Sequence, residues 1–238
     1  MSRKLQSPRV TVQEIVSFGR ESYLSGRIFE PEPRGSDRRA VLFVHGLASS
    51  QQPYESRAQT VSQRLAAVCL TFDLRGHGRD SDRAGQYSIC DHVDDVVAAY
   101  DALVAQATVD PGRVGVCGAS YGAYLAAVLT SRRAVKRLVL RAPALAQDLM
   151  SFTRHGVLRS APDCDAFDSL AILRRYDGEV LLIESERDEV IPASNIAAYA
   201  EACRHAQQSV IPDATHALRD ERWNQIFVDA IVRCFDDL

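Results

Sequence analysis

The sequence predicts a single α/β domain, and three observations carry that expectation. Short apolar runs recur along the chain with helical patterns between them. The runs are continuously apolar rather than alternating, as in strands buried on both faces of a parallel sheet. And 238 residues, 46% of them hydrophobic and 25% charged, are enough for one α/β domain with a large core and too few for two generous ones.

The opening segment, "RVTVQEIVSFGRESYLSGRIFEPEP", alternates in part and carries Gly19 near its middle. It predicts an antiparallel hairpin at the sheet edge, ended by Pro31 and Pro33. The buried strands follow: "AVLFV" from Ala40, "VCLTF" from Val68, "RVGVC" from Arg113, "RLVLR" from Arg137, "EVLLIE" from Glu179 and "QSVI" from Gln208. Ile89, Val93, Val96, Val97, Tyr100 and Val104 fall on one helical face, with Ser88 and Asp91 placed as a capping box. Trp223, Ile226, Phe227, Ala230, Ile231 and Phe235 form a second stripe near the C-terminus. Both stripes read as core.

No internal repeat or low-complexity linker divides residues 1–238, so they are expected to form one domain. The alternation breaks only over 146–178, roughly thirty residues where a parallel crossover needs about a dozen. This predicts a short flap or cap insertion, with a helix over "DAFDSLAILRRY". The flap's Leu149, Met150, Phe152, Val157, Leu158 and Phe167 suit an acyl or aromatic pocket and suit packing onto the body equally well.

A net charge of −3 gives no general attraction to nucleic acid or an anionic membrane, and neither is expected as a partner. The basic run "SRRAVKR" reads as a solvated connection. Cysteines 69, 90, 117, 164, 203 and 234 show neither a CxxC pair nor zinc-like spacing with histidine, so no metal site is expected and reduced thiols are. The N-terminus lacks the apolar core of a signal peptide and no apolar run approaches membrane-spanning length. A cytoplasmic protein is the expectation.

The chemistry concentrates at "GASYG", Gly118 to Gly122, which closes a predicted strand and opens a predicted helix. That is the setting of a nucleophile elbow, where Ser120 occupies a strained turn and glycines two positions either side let helix and strand approach. The bare pattern would arise by chance in about one protein in ten of this length, so its partners decide. A serine hydroxyl needs a base, usually histidine. His216, in "IPDATHAL" after the last predicted strand, can reach over the carboxyl edge of the sheet. His45 and His77 lie in earlier loops and suit structural hydrogen bonds; His92 and His205 fall in helical patterns as surface or packing residues, and His155 lies in the flap.

The base in turn needs a carboxylate to hold its tautomer. Asp188, in "IESERDEVIP" after the strand from Glu179, is the first choice, with Glu184, Glu186, Glu189 and Asp213 as rivals. An oxyanion would be met by backbone N–H groups, that of Tyr121 after the nucleophile and that of Leu47 in "FVHGLASS", where Gly46 lets the chain turn inward.

Taken in order, "HGLASS", "FDLRGHGRD", "GASYGA", "RDEVIP" and "THAL" resemble the α/β-hydrolase family over nearly the whole chain. The likeness is to compact bacterial serine hydrolases and esterases related to the dienelactone hydrolase, prolyl oligopeptidase and monoglyceride lipase branches. It implies an eight-stranded, mostly parallel sheet flanked by helices, a structural "DLRGHG" loop from Asp73 to Gly78, and the chain order Ser120, Asp188, His216. One departure stands out: three residues before the acid, where such proteins often carry glycine, this chain has Ser185. The nucleophile is serine rather than the cysteine of dienelactone hydrolases, and Cys117 reads as buried packing.

The expected activity is hydrolysis of carboxylic esters with small or medium acyl or aromatic groups through an acyl-enzyme, without metal or organic cofactor. A serine peptidase or an acyl-coenzyme A thioesterase uses the same triad, and a non-catalytic binding protein of this fold is the contrasting class. The short flap, with no room for a propeller, favours an ester over a peptide. Natural substrate and oligomeric state are not encoded in any motif.

Overall fold

Alternate side chains of each central strand enter opposite layers, and both layers are covered. The computed structural model describes residues 9–19, 24–161 and 167–238. In β3 (Arg38–Val44), Leu42 and Val44 enter one core cluster, Val41 and Phe43 the other. In β5 (Val109–Ala119), Val114 and Val116 take the first side, Cys117 and Ala119 the second. The first layer is completed by α2 (Ile89–Val104), α3 (Tyr121–Leu129) and α6 (Ala193–Ala202), the second by α1 (Gln52–Leu65) and α7 (Glu221–Phe235). With helices on both faces, every position of β4 (Val68–Phe72) and β6 (Arg137–Arg141) is buried, which is why those runs lack alternation.

The eight strands lie in the order β1-β2-β4-β3-β5-β6-β7-β8, where β1 is Val10–Phe18, β2 Leu24–Pro31, β4 Val68–Phe72, β6 Arg137–Arg141, β7 Glu179–Ser185 and β8 Ala206–Ile211. The expected hairpin is present: β1 pairs antiparallel with β2, from Val10 against Pro31, and Gly19 leaves β1 at φ 85°. β2 pairs antiparallel with β4, and every pairing from β4 to β8 is parallel. All loops after the parallel strands therefore emerge at one edge, the carboxyl edge.

The α2 start carries the expected capping box: Asp91 N–H donates to Ser88 Oγ at 3.3 Å, and Ser88 N–H to Asp91 Oδ2 at 2.7 Å. The flap contains two helices, α4 (Ala146–Arg154) and α5 (Ser169–Leu173). The expected helix over residues 165–176 is thus represented by α5, and the first two of those residues lie outside the described ones. The pattern missed α4, whose one buried residue is Leu149. Leu149 and Leu158 are buried in the core, Phe152 and Phe167 pack against it, and Met150 and Val157 are exposed. Packing onto the body accounts for the buried ones.

Cys69, Cys117, Cys203 and Cys234 are free thiols. Burial pushes the Cys117 thiol up to about 12, as expected of packing rather than chemistry. Cys90, however, is disulfide-bonded, which corrects the expectation of six reduced cysteines. Spacing along the chain does not report which cysteines the fold brings within bonding distance. Among the described residues no helix is long and apolar enough to cross a membrane.

Candidate active site

The carboxyl edge is built around the β5–α3 turn. Ser120 takes φ 55° and ψ −121°, a region that L residues rarely adopt. Its backbone is tied on both sides: its N–H donates to the Arg141 carbonyl at 2.9 Å, and its carbonyl accepts from Ala144 N–H at 3.2 Å. The flanking glycines are required by contact. A Cβ on Gly118 would collide with the Gly122 carbonyl, and one on Gly122 with the carbonyls of Val44 and His45. Gly118→Ala and Gly122→Ala are each expected to cost about 1–3 kcal/mol through overpacking, read as a Tm lower by about 3–10 °C; an unchanged Tm would contradict the contact.

The loop after β3 lies against this turn. A Cβ on Gly46 would stand 3.4 Å from Ser120 Cβ and 3.9 Å from its Oγ, so this loop passes within contact distance of the hydroxyl. Ser120, Gly46, Leu47 and His216 line one cavity of about 380 Å³. Three larger clefts, about 500 Å³ over Arg137 and Asp237, about 550 Å³ over Phe18 and Val97 and about 580 Å³ over Arg9 and Arg34, contain no histidine among the described residues.

His216 sits in the β8–α7 loop, which is laced to the β7–α6 loop. Arg187 N–H donates to the Ala214 carbonyl at 2.8 Å and Asp213 N–H to Glu186 Oε2 at 2.7 Å. The ring's Nδ1 lies 3.0 and 2.9 Å from Asp188 Oδ1 and Oδ2. Glu189 meets His216 too, but at its backbone N–H, 3.1 Å away. Of the candidate carboxylates, Asp188 is the one hydrogen-bonded to the ring among the described residues. Burial raises the Asp188 carboxyl, but His216 and the N–H groups of Ile191 and Val190 outweigh it and hold the carboxyl below its ordinary value. Asp188 thus remains an anion under the imidazole. No hydrogen bond joins Ser120 Oγ to His216 among the described residues; without substrate such contacts are often long.

The other histidines have structural partners. His45 accepts from Leu74 N–H at Nε2 (3.1 Å) and donates from Nδ1 to the Gly46 carbonyl (2.8 Å). His92 donates from Nε2 to the Arg75 carbonyl and accepts the Tyr121 hydroxyl at Nδ1, both at 3.0 Å. The ring of His77 lies between them, 5.2 Å from His45 and 5.3 Å from His92. This stack links the loop carrying Leu47 to the residue that follows Ser120. His205 lies in an exposed turn rather than a helix, and His155 ends α4, exposed.

The stack predicts acid lability. Burial holds His45 and His92 neutral down to about 3, whereas an unfolded imidazole takes its proton near 6.5. In that window the folded state binds fewer protons, so stability is lost as pH falls. Asp95 opposes this: burial pushes its carboxyl up to about 6 despite its pairing with Arg75, so between about 4 and 6 the folded form holds an extra proton. His45 and His92 against one carboxyl leave stability falling by about 1 kcal/mol per pH unit from pH 6 to pH 4, and His77, which burial also holds below its ordinary value, adds to the fall. Urea midpoints across that range measure it, and constant midpoints would contradict the neutral stack.

Two buried arginines of the cavity belong to no motif. Arg57 of α1 and Arg141 at the end of β6 both line the cavity with Ser120. The available signal was an arginine closing the buried run "RLVLR", where a strand facing two apolar layers has no evident place for charge.

Residues 35–163, more than half of the chain, match the family model described as serine aminopeptidase, S33. The chain belongs to this α/β-hydrolase family. An uncharacterised protein of Mycobacterium tuberculosis is 26% identical over 226 residues, 93% of this chain and 78% of that protein. Among solved structures, the fold is similar to an esterase from the archaeon Pyrobaculum calidifontis, with a TM-score of 0.70, 20% identity, and 95% of this chain aligned to 85% of that one. It is also similar to the acylaminoacyl peptidase of Pyrococcus horikoshii, TM-score 0.77 and 16% identity, where 99% of this chain corresponds to 43% of that one. The chain is thus a hydrolase of α/β-hydrolase type.

Proposed function

We propose that this α/β-hydrolase is a serine esterase acting on small-molecule carboxylic esters. The observation that carries the reading is the Asp188–His216 pair opening onto the same cavity as the strained Ser120 turn. Ser120 Oγ attacks the ester carbonyl carbon while His216 Nε2 takes its proton, and the oxyanion is met by the N–H groups of Tyr121 and Leu47. The carbon–oxygen bond to the alcohol breaks, with the proton passing from His216 to the leaving oxygen. Water, activated by the same imidazole, then releases the acid and restores Ser120. The N-terminus of α3 adds its positive dipole end beneath the oxyanion. Nothing in these steps calls for a cofactor.

The cavity, at about 380 Å³, matches a small or medium ester. The Pyrobaculum neighbour is an esterase and the Pyrococcus neighbour a peptidase, so the ester reading rests on the small cavity and short flap. The test is a panel of 4-nitrophenyl esters, acyl-coenzyme A thioesters and aminoacyl anilides, with a fluorophosphonate probe to mark the nucleophile by mass spectrometry. Ester turnover with label on Ser120 is expected. Faster cleavage of the anilides or thioesters would overturn the ester assignment, and label elsewhere the nucleophile.

A further inference from the structure

The cavity around Ser120 is lined by buried cations that no carboxylate contacts among the described residues; Asp188, outside the lining, acts on Arg141 electrostatically but forms no ion pair with it. Arg57 is 8% and Arg141 6% exposed, and both line it, together with the exposed Arg219. Arg57 donates through Nε and Nη2 to Asn224 Oδ1, a neutral acceptor, at 3.1 and 2.5 Å, and lies 4.8 Å over the Tyr54 ring. Arg141 donates from Nη1 to Ser185 Oγ at 3.0 Å, while its buried Nε has no hydrogen-bond partner among the described residues. The two guanidiniums share the Phe227 ring, at 5.3 and 5.9 Å. Neither forms an ion pair among the described residues, and no residue lining the cavity is acidic.

Arg137, buried to a similar degree, is paired with Glu179 at 3.1 Å, and the partly buried Arg75 with Asp95 at 2.6 Å. A buried cation without a counter-ion is costly, and its retention calls for an anion that arrives from outside. The planar guanidinium fork suits a carboxylate or phosphate. Ser185 supplies a neutral hydroxyl that orients Arg141.

We infer that the cavity takes esters carrying a second anionic group, a carboxylate or a phosphate-like oxyanion, held by Arg57 and Arg141 while Ser120 attacks the ester carbonyl. The anion is a spectator: it forms and breaks no bond and fixes which ester is presented. This inference rests on Ser120 being the nucleophile, as set out above.

The experiment compares kcat/KM for matched pairs: 4-nitrophenyl hemiglutarate against its methyl ester, 4-nitrophenyl 4-phosphonobutyrate against its dimethyl ester, and 4-acetoxybenzoate against methyl 4-acetoxybenzoate. The first two pairs separate carboxylate from phosphate-like groups, and the third moves the charge to the alcohol side. A preference for the charged member of about 10–100-fold is expected in at least one pair, the range for hydrogen bonds to charged groups. That ratio should collapse in Arg57→Gln and Arg141→Gln and recover in part in Arg57→Lys. Equal rates within every pair, or a preference that survives both glutamine substitutions, would overturn the inference. Should Arg141→Gln not fold, Arg57→Gln and competitive inhibition of wild-type neutral-ester hydrolysis by glutarate carry the same test. If no ester is hydrolysed at all, the esterase reading fails instead. Calorimetric titration of glutarate into the wild type and Arg57→Gln then decides the anion site alone: heat in the first and none in the second supports it, and none in either overturns it.

Discussion

Ser120→Ala is expected to lower kcat for ester hydrolysis by about a millionfold, the scale seen when the nucleophile of a triad is removed. Without Oγ, neither the His216 imidazole nor the oxyanion donors have an acyl-enzyme to act on. The same position offers a control that separates chemistry from folding. Ser120 sits at φ 55° and ψ −121°, where a Cβ is strained. Alanine keeps that Cβ, so Ser120→Ala should melt where the wild type does. Glycine relieves the strain, and Ser120→Gly is expected to be equally inactive yet stabilised by about 1 kcal/mol, raising Tm by about 2–4 °C. Ester hydrolysis by Ser120→Ala within tenfold of wild type would refute the nucleophile. A Ser120→Gly protein no more stable than wild type would refute the strain.

Asp188→Asn is expected to lower kcat by about ten-thousandfold while leaving the protein folded. The reason lies in which atoms Asp188 touches. Its Oδ1 accepts from the N–H groups of Val190 at 2.9 Å and Ile191 at 2.8 Å, and those donors require an oxygen. An asparagine therefore places its own oxygen there and turns its amide NH2 toward His216 Nδ1. A donor facing Nδ1 forces the imidazole proton onto Nε2, the atom that must be free to accept the Ser120 proton. The loop keeps its backbone bonds, so kcat falls while Tm changes little. Glu189→Gln is the contrast, because Glu189 touches only the backbone N–H of His216 and leaves the tautomer alone. A large loss in Glu189→Gln with little in Asp188→Asn would reassign the carboxylate.

The acid side of the pair has its own stability signature. The Asp188 carboxyl lies below its ordinary value in the folded protein, so its stabilisation is full at neutral pH and is lost as pH falls through the folded value. This adds to the loss from the buried histidines rather than offsetting it.

The sequence alone determined what short-range patterns can specify. Continuous apolar runs marked β4 and β6 to the residue, because strands buried on two faces have no polar position to blur the ends. Ser88 and Asp91 marked the start of α2, because a capping box is made by neighbours in the chain. The turn at Ser120 was equally local: a serine between two glycines at a strand–helix junction states its own geometry.

Tertiary structure decided whatever depends on how separate loops meet. Glu184, Glu186, Asp188, Glu189 and Asp213 are chemically alike and close in sequence. Only the lacing of the β7–α6 loop to the β8–α7 loop brings Asp188 to the His216 ring and sends Glu189 to its backbone. His92 read as a surface or packing residue, and the packing of α2 on α3 decides for packing, burying it against the Tyr121 hydroxyl. The Cys90 disulfide likewise follows from proximity in space, which spacing does not encode. The charge of the cavity is the clearest case. Arg57 and Arg141 are far apart in the chain and belong to no motif, and only the fold brings both to the Phe227 ring and to the cavity that Ser120 lines, with no carboxylate in contact with either among the described residues. Local propensity and contact set the elements and the elbow; long-range packing set the electrostatics, because burial and pairing are properties of neighbours in space.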